Sequence, residues 1–309
     1  MDEFEIIEKY FAPLTNNYDG ALGLKDDAAI LPQTDGNDLV ITTDTIIENV
    51  HFFKDNSPED IAIKLLGVNI SDLASMGALP TCYLLSITLP KSINDKWLAE
   101  FSLGLKTAAE NCGSNMKLIG GDTTVHNGPL ILTVTAIGEV KKGKSLTRKG
   151  ANIDDYIYVT GTIGDSYAGL QILLGKCNIK SDYLIKRYLR PIPRVDIGLK
   201  LSGIATACAD ISDGLIADLG HICKYSNVGA SIFIDDIPIS TDALNSGIDK
   251  KLLITGGDDY ELIFTAPKGA NLPKNITKIG QITNGNIVKI LDNQGKELFI
   301  NNSGYKHYL

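Results

Sequence analysis

Asp210-Ile211-Ser212-Asp213-Gly214-Leu215-Ile216-Ala217-Asp218-Leu219-Gly220-His221-Ile222 reads as a strand end running into a helix. Residues 205–210 make the strand and residues 213–226 the helix, with Ser212 and Asp213 as good caps for it. Carboxylates therefore stand where a strand meets the start of a helix. Asn69-Ile70-Ser71-Asp72-Leu73 echoes this stretch in the first half of the chain, though too briefly to establish a duplication.

Outward from these two points the chain mixes strands and helices. Residues 2–11 read as a short amphipathic helix. Residues 38–44 read as a strand ending in acid, and residues 59–77 carry Ile61, Leu65, Val68, Leu73 and Met76 at helical spacing. Residues 81–89 are a strand. Residues 95–112 are a helix with Asn94 or Asp95 as its cap and Gly113 as its stop. A strand over 116–119 leads into Gly120-Gly121-Asp122, and 130–140 forms another. Residues 141–155 are polar and rich in turn formers, so the domain boundary falls there, giving domains 1–140 and 141–309. The second half continues with strand 156–160, helices near 165–175 and 194–203, strands 230–235 and 260–265, and a terminal pair of short strands around 286–300. Both halves are α+β.

At 309 residues the chain suits two domains, and a hydrophobic content of 44% suffices for well-buried cores. The net charge is −8 and no Lys/Arg cluster appears, which argues against a nucleic-acid partner. The four arginines are Arg148, Arg187, Arg190 and Arg194. Five scattered cysteines with no CxxC pair argue against a disulfide framework or a zinc site and fit a cytoplasmic setting. The acidic start lacks the apolar core of a signal peptide, and no apolar run is long enough to span a membrane.

One kind of motif recurs. Acidic residues sit beside Gly, Ser or Thr at the ends of apolar strands: Asp26-Asp27, Thr42-Thr43-Asp44, Ser71-Asp72, Gly120-Gly121-Asp122, Asp210 to Asp213, and Gly256-Gly257-Asp258-Asp259. Taken singly, each is more often a helix cap or an Asx turn. Taken together, such carboxylates can converge on one sheet edge, where their repulsion calls for cations. Mg²⁺ suits hard oxygen ligands and bridges them to phosphates. A competing signal is Gly138 to Ser145, which satisfies the P-loop pattern after a strand. The polar stretch that follows it leads to another strand and lacks the helix a P-loop needs, so it reads as a solvated turn.

The combination of Lys25-Asp26-Asp27-Ala28-Ala29 with residues 41–52, 68–80, 118–124, 147–151, 164–170, 210–222 and 256–262 resembles the thiamine-monophosphate kinases. That family belongs to the superfamily of aminoimidazole ribonucleotide synthetase and selenophosphate synthetase. The resemblance spans nearly the whole chain. It implies a two-domain α+β fold, with an N-terminal sheet that forms a barrel across a homodimer and a C-terminal α/β sandwich beside it. It implies several Mg²⁺ ions on Asp27, Thr42, Thr43, Asp44, Asp72, Asp122, Asp210 and Asp213. ATP would meet Gly121, Arg148 and Ser212, and thiamine monophosphate would meet His51, Asp258 and Tyr305. Two positions depart from the family pattern: Asp258 stands where Glu is usual, and Lys25 where Gly is usual.

On this resemblance the γ-phosphoryl group of ATP passes directly to the acceptor phosphate, and no Cys or His has the partner a covalent nucleophile needs. The rival readings are another ATP-driven reaction on the same scaffold, such as ring closure or amide formation, and a nucleotide-binding regulator without turnover.

Overall fold

The computed structural model describes residues 19–32, 36–114, 116–300 and 304–305; the expected helix over 2–11 lies outside them. Two sheets organise the chain. The first holds β1 (Ala29–Pro32), β2 (Asn37–Ile47), β3 (Leu79–Pro90), β4 (Lys117–His126) and β5 (Ile131–Lys141), in the order β1-β2-β5-β3-β4. All neighbours are antiparallel except β3 and β4, which a helix crossover joins in parallel. The second holds β6 (Tyr156–Thr160), β7 (Ala207–Asp210), β8 (Gly229–Phe233), β9 (Leu262–Ala266), β10 (Ile276–Thr283) and β11 (Val288–Leu291), in the order β11-β8-β10-β6-β9-β7.

Helix α1 (Pro58–Ser75) begins at Ser57, whose Oγ accepts from the Asp60 N–H. From Ile61 to Ser75 every residue except Asp72 is buried. A helix covered on nearly all sides belongs in a core rather than on a surface. The apolar cluster around α1 takes in Leu132, Val134 and Ala136 of the first sheet together with Cys208, Leu262 and Phe264 of the second. Helix α2 (Asp95–Asn111) packs Phe101 and Leu105 into the same cluster, and Asn94 caps it through the Trp97 N–H.

Four helices follow in the second half: α3 (Asp165–Leu173), α4 (Asp182–Leu189), α5 (Val195–Leu201) and α6 (Leu215–Ser226). Helix α6 buries Leu215, Leu219 and Ile222 against the second sheet. Short helices α7 (Thr241–Asn245) and α8 (Lys250–Leu253) come after them. Among the described residues no helix is long and apolar enough to cross a membrane, and all five cysteines are free thiols.

Two expectations fail, and some elements are new. Strand β4 does not stop before Gly120-Gly121-Asp122 but runs through it, paired with β3 at Asp122 and Ser86. A Cβ on Gly121 would lie 1.8 Å from the Leu85 carbonyl oxygen, so the glycine serves the close approach of two strands. Helix α4 and strand β10 were not foreseen. The terminal strand pair reduces to β11 and a bridge between Leu291 and Glu297.

Candidate active site

The ends of β2 and β7, one face of α1 and the loops at Asp27, Arg148, Ser212 and Asp258 enclose a cleft of about 700 Å³. All the candidate site residues line it except Gly121 and Asp122. Those two are exposed on β4, so roles for them rest on the motif's resemblance alone. Lys25 is exposed and outside the lining.

Strand alternation sorts the Thr42-Thr43-Asp44 triplet. Thr42 and Asp44 share one face of β2, and Thr43 turns to the other. There the Thr43 hydroxyl donates to the Val134 carbonyl at 3.0 Å and meets Thr135 Oγ1 at 3.1 Å. Thr43 still lines the cleft, with its hydroxyl bonded to β5. Thr42 Oγ1 donates to Asp72 Oδ2 at 2.6 Å, and the Asp44 N–H donates to Asn69 Oδ1 at 3.1 Å.

Asp27, Asp72 and Asp210 each bring a carboxylate oxygen within 4.8 Å of the others. Each is held by a hydroxyl: Ser75 donates to Asp27 at 2.9 Å, Thr42 to Asp72, and Ser71 to Asp210 at 2.7 Å. Ser71, Asp72 and Ser75 all come from the last turn and a half of α1, which explains how three distant segments meet. A second group, Asp213, Asp218 and His221, gathers at the start of α6 within the same spacing. Asp218 Oδ2 accepts the Asp213 and Gly214 N–H groups at 3.2 and 3.1 Å and so fixes the turn that carries Asp213.

The electrostatics follow from that crowding. Burial, then the charges of Asp44, Asp210 and Asp27, raises the Asp72 carboxyl well above its usual range. Burial and Asp27 push Asp210 up to about 8, against the pull of Ser71 and Arg148. Burial and Asp27 push Asp26 up to about 7. Burial works against the Arg148 cation, but Asp27, Asp218, Asp26 and Asp210 outweigh it and keep the guanidinium protonated. Arg148 Nη2 sits on Asp27 Oδ1 and its main-chain N–H meets Asp26. Its Nε is buried without a hydrogen-bond partner among the described residues.

Aromatic side chains also line the cleft. Phe53, Tyr188, Tyr260 and Tyr305 line it beside His51. His51 Nδ1 accepts the Ile47 N–H at 3.0 Å, which places the proton of the neutral ring on Nε2. Gly257 at φ +74° and Asp258 at φ +61° turn the chain so that the Asp258 N–H reaches the Ser212 carbonyl at 2.7 Å. A Cβ on Gly257 would meet that carbonyl at 2.5 Å. Sequence reasoning missed Lys64, Tyr188, Asp218 and Tyr260. Lys64 and Asp218 had a signal, since each is a charge set at core spacing in its helix.

The P-loop pattern dissolves. Gly138 to Lys141 belong to β5 and Gly143 to a tight turn, with no helix before β6. Lys144→Ala is expected to leave turnover within about twofold of wild type, as an exposed substitution does; a steady-state assay checks it.

The two halves of the chain match two family models. Residues 25–140 match the AIR synthase related protein N-terminal domain, and residues 152–293 match the corresponding C-terminal domain. Among curated relatives, the thiamine-monophosphate kinase of Haemophilus influenzae is 44% identical, covering 86% of this chain and 82% of its own. That of Escherichia coli K12 is 42% identical over 99% of this chain and 98% of its own. The structure of AaThiL complexed with AMPPCP and TMP superposes with a TM-score of 0.88 at 31% identity, over 99% and 97% of the two chains. The chain belongs to the thiamine-monophosphate kinase family.

Proposed function

We propose that the chain transfers the γ-phosphoryl group of ATP to the phosphate of thiamine monophosphate, giving thiamine diphosphate and ADP. The observation that carries this reading is the meeting of Asp27, Asp72 and Asp210 in one cleft, with Asp44 and Asp213 on its wall. Carboxylate oxygens alone make a hard donor set, which fits Mg²⁺. Several Mg²⁺ ions bound here would neutralise both phosphate chains and polarise the γ-phosphoryl group. The chain's own part is positional. The three hydroxyls hold the carboxylates, Arg148 can turn its unpartnered Nε toward a phosphate oxygen, and the aromatic side chains take the acceptor's rings beside His51, Asp258 and Tyr305. An acceptor phosphate is ionised near neutral pH, so no general base is required.

The domains are taken as 1–140 and 141–309. A homodimer is supported by β4, an edge strand that exposes Leu118, Ile119 and Val125 at 52%, 58% and 61%. Free thiols fit the cytoplasm.

The test is an endpoint assay of the purified chain with ATP, Mg²⁺ and thiamine monophosphate. The expected result is ADP and thiamine diphosphate in equal amounts, with inversion at an isotopically chiral γ-phosphorus. Release of inorganic phosphate, or product from free thiamine alone, would point elsewhere.

Protons and Mg²⁺ should compete for this site. Asp26 and Asp210 hold protons in the fold to about 7 and about 8, whereas ordinary carboxyls lose them near 3.8. Between those values the cation-free fold binds more protons than the unfolded chain, so its stability falls as pH rises. Mg²⁺ replaces those protons. Its gain in Tm should therefore be larger at about pH 8 than at about pH 6; thermal scans at both values check this.

A further inference from the structure

Lys64, Val68 and Asp72 follow one another at four-residue spacing on α1 and so share one stripe of the helix. Val68 and Asp72 line the cleft, Asp72 among the clustered carboxylates. Eight residues of helix separate Asp72 from Lys64, about 12 Å along the axis. One rigid element thus runs from the clustered carboxylates at Asp72 to the Tyr188 ring beside Lys64.

Lys64 is 2% exposed. Its Nζ lies 2.8 Å from Asp258 Oδ2 and 3.7 Å from the centroid of the Tyr188 ring. Tyr188 in turn donates its hydroxyl to the His51 carbonyl at 3.1 Å. The other Asp258 oxygen accepts the Tyr260 hydroxyl at 3.0 Å. A buried lysine is not needed for stability here: an apolar side chain of similar volume usually serves a core as well or better. What the lysine adds is direction. Asp258 holds a left-handed backbone conformation that a non-glycine residue adopts at a cost, and its carboxylate is short. With one donor on each oxygen, the half-buried carboxylate is fixed in direction and keeps lone pairs for a ligand.

We propose that Lys64 is a positioning residue for the acceptor: it locks the Asp258 carboxylate against Tyr188 and Tyr260, and so sets acceptor affinity without taking part in phosphoryl transfer. The inference rests on the proposed function, and it assigns Lys64 and Asp258 to one unit on the acceptor side of the cleft. Charge-assisted hydrogen bonds such as this one are stronger than neutral ones, so the effect is measurable in KM.

The experiment is steady-state kinetics of the full chain with ATP, Mg²⁺ and thiamine monophosphate, for wild type, Lys64→Met, Asp258→Asn and the double variant. Lys64→Met is expected to raise the acceptor KM by about tenfold or more, the loss typical of a hydrogen bond to a charged group. The KM for ATP and kcat should stay within about twofold, because the carboxylate end of α1 is untouched. The double variant should be no worse than Asp258→Asn alone, since both changes remove the same unit. A merely structural role would lower Tm and total activity and leave the acceptor KM in place. An active wild type whose acceptor KM ignores Lys64→Met, or losses that add in the double variant, would overturn this inference and leave the function standing. A wild type that makes no thiamine diphosphate would sink both.

Discussion

Asp72→Asn should nearly abolish turnover and, in the same protein, raise the Tm of the cation-free chain. The two effects have one cause. Asp72 is buried beside Asp44, Asp210 and Asp27, and its carboxylate is destabilised by all of them. Asparagine keeps the shape and an oxygen for the Thr42 hydroxyl but carries no charge. The fold then loses a repulsion, which a thermal scan near pH 8 should read as a gain of a few degrees. On the proposed role of Asp72, turnover loses a ligand charge at the point where two polyanions must meet. Removal of one preorganised electrostatic partner commonly costs on the order of a hundredfold to a thousandfold in kcat. Opposite signs for stability and activity are the mark of a site built at the expense of the fold. An Asp72→Asn chain that is less stable and fully active would place Asp72 in an ordinary helix-end role.

Arg148→Ala should act with the reverse sign on stability. The guanidinium is the cation nearest the cluster, paired with Asp27 and felt by Asp26, Asp210 and Asp218. Its loss leaves buried carboxylates without a counter-charge, and breaking such a pair from one side typically costs about 3–5 kcal/mol. Chemical denaturation of the cation-free chain measures this. Saturating Mg²⁺ should restore part of the loss, because a divalent ion supplies charge to the same oxygens, while turnover should stay low if Arg148 forks onto phosphate as proposed. Restoration by Mg²⁺ separates an electrostatic role from a packing role, which no ion would repair.

These predictions rest on a site whose parts were unequally legible in the sequence. Asp27, Asp44, Asp72, Asp210 and Asp213 could be picked out because each sits beside small residues where an apolar strand or helix ends. Their convergence could not be read from any one of them. It is a consequence of α1, which is covered by both sheets and delivers Ser71, Asp72 and Ser75 to carboxylates from residues far away in the chain. Thr43 differs from its neighbours for a reason of period: in a paired strand Thr42 and Asp44 take one face and leave its side chain the other, where its hydroxyl bonds β5. Asp122 was read at a strand end, but β4 continues through its glycines because β3 approaches them closely.

Helix α4, with Tyr188 and the buried Arg187, was missed because it is short and its polar residues hide its one buried face. Strand β10 was missed for the opposite reason: Lys278, Gly280 and Gln281 break the apolar alternation, yet β6 and β8 pair with it on both sides. Lys64 and Asp218 were visible but unread. Each breaks the apolar stripe of a core helix, and a charge in that position needs a partner that only the folded chain supplies.

The most direct measurement of the central claim is a count of Mn²⁺ ions bound to the full chain in the presence of AMPPCP and thiamine monophosphate, with Asp27→Asn, Asp72→Asn and Asp210→Asn beside wild type. If the carboxylates from these three segments serve one set of cations, wild type holds more than one ion and every substitution lowers the number or weakens it by about tenfold or more. The same number of ions at the same affinity in all four proteins would contradict the account.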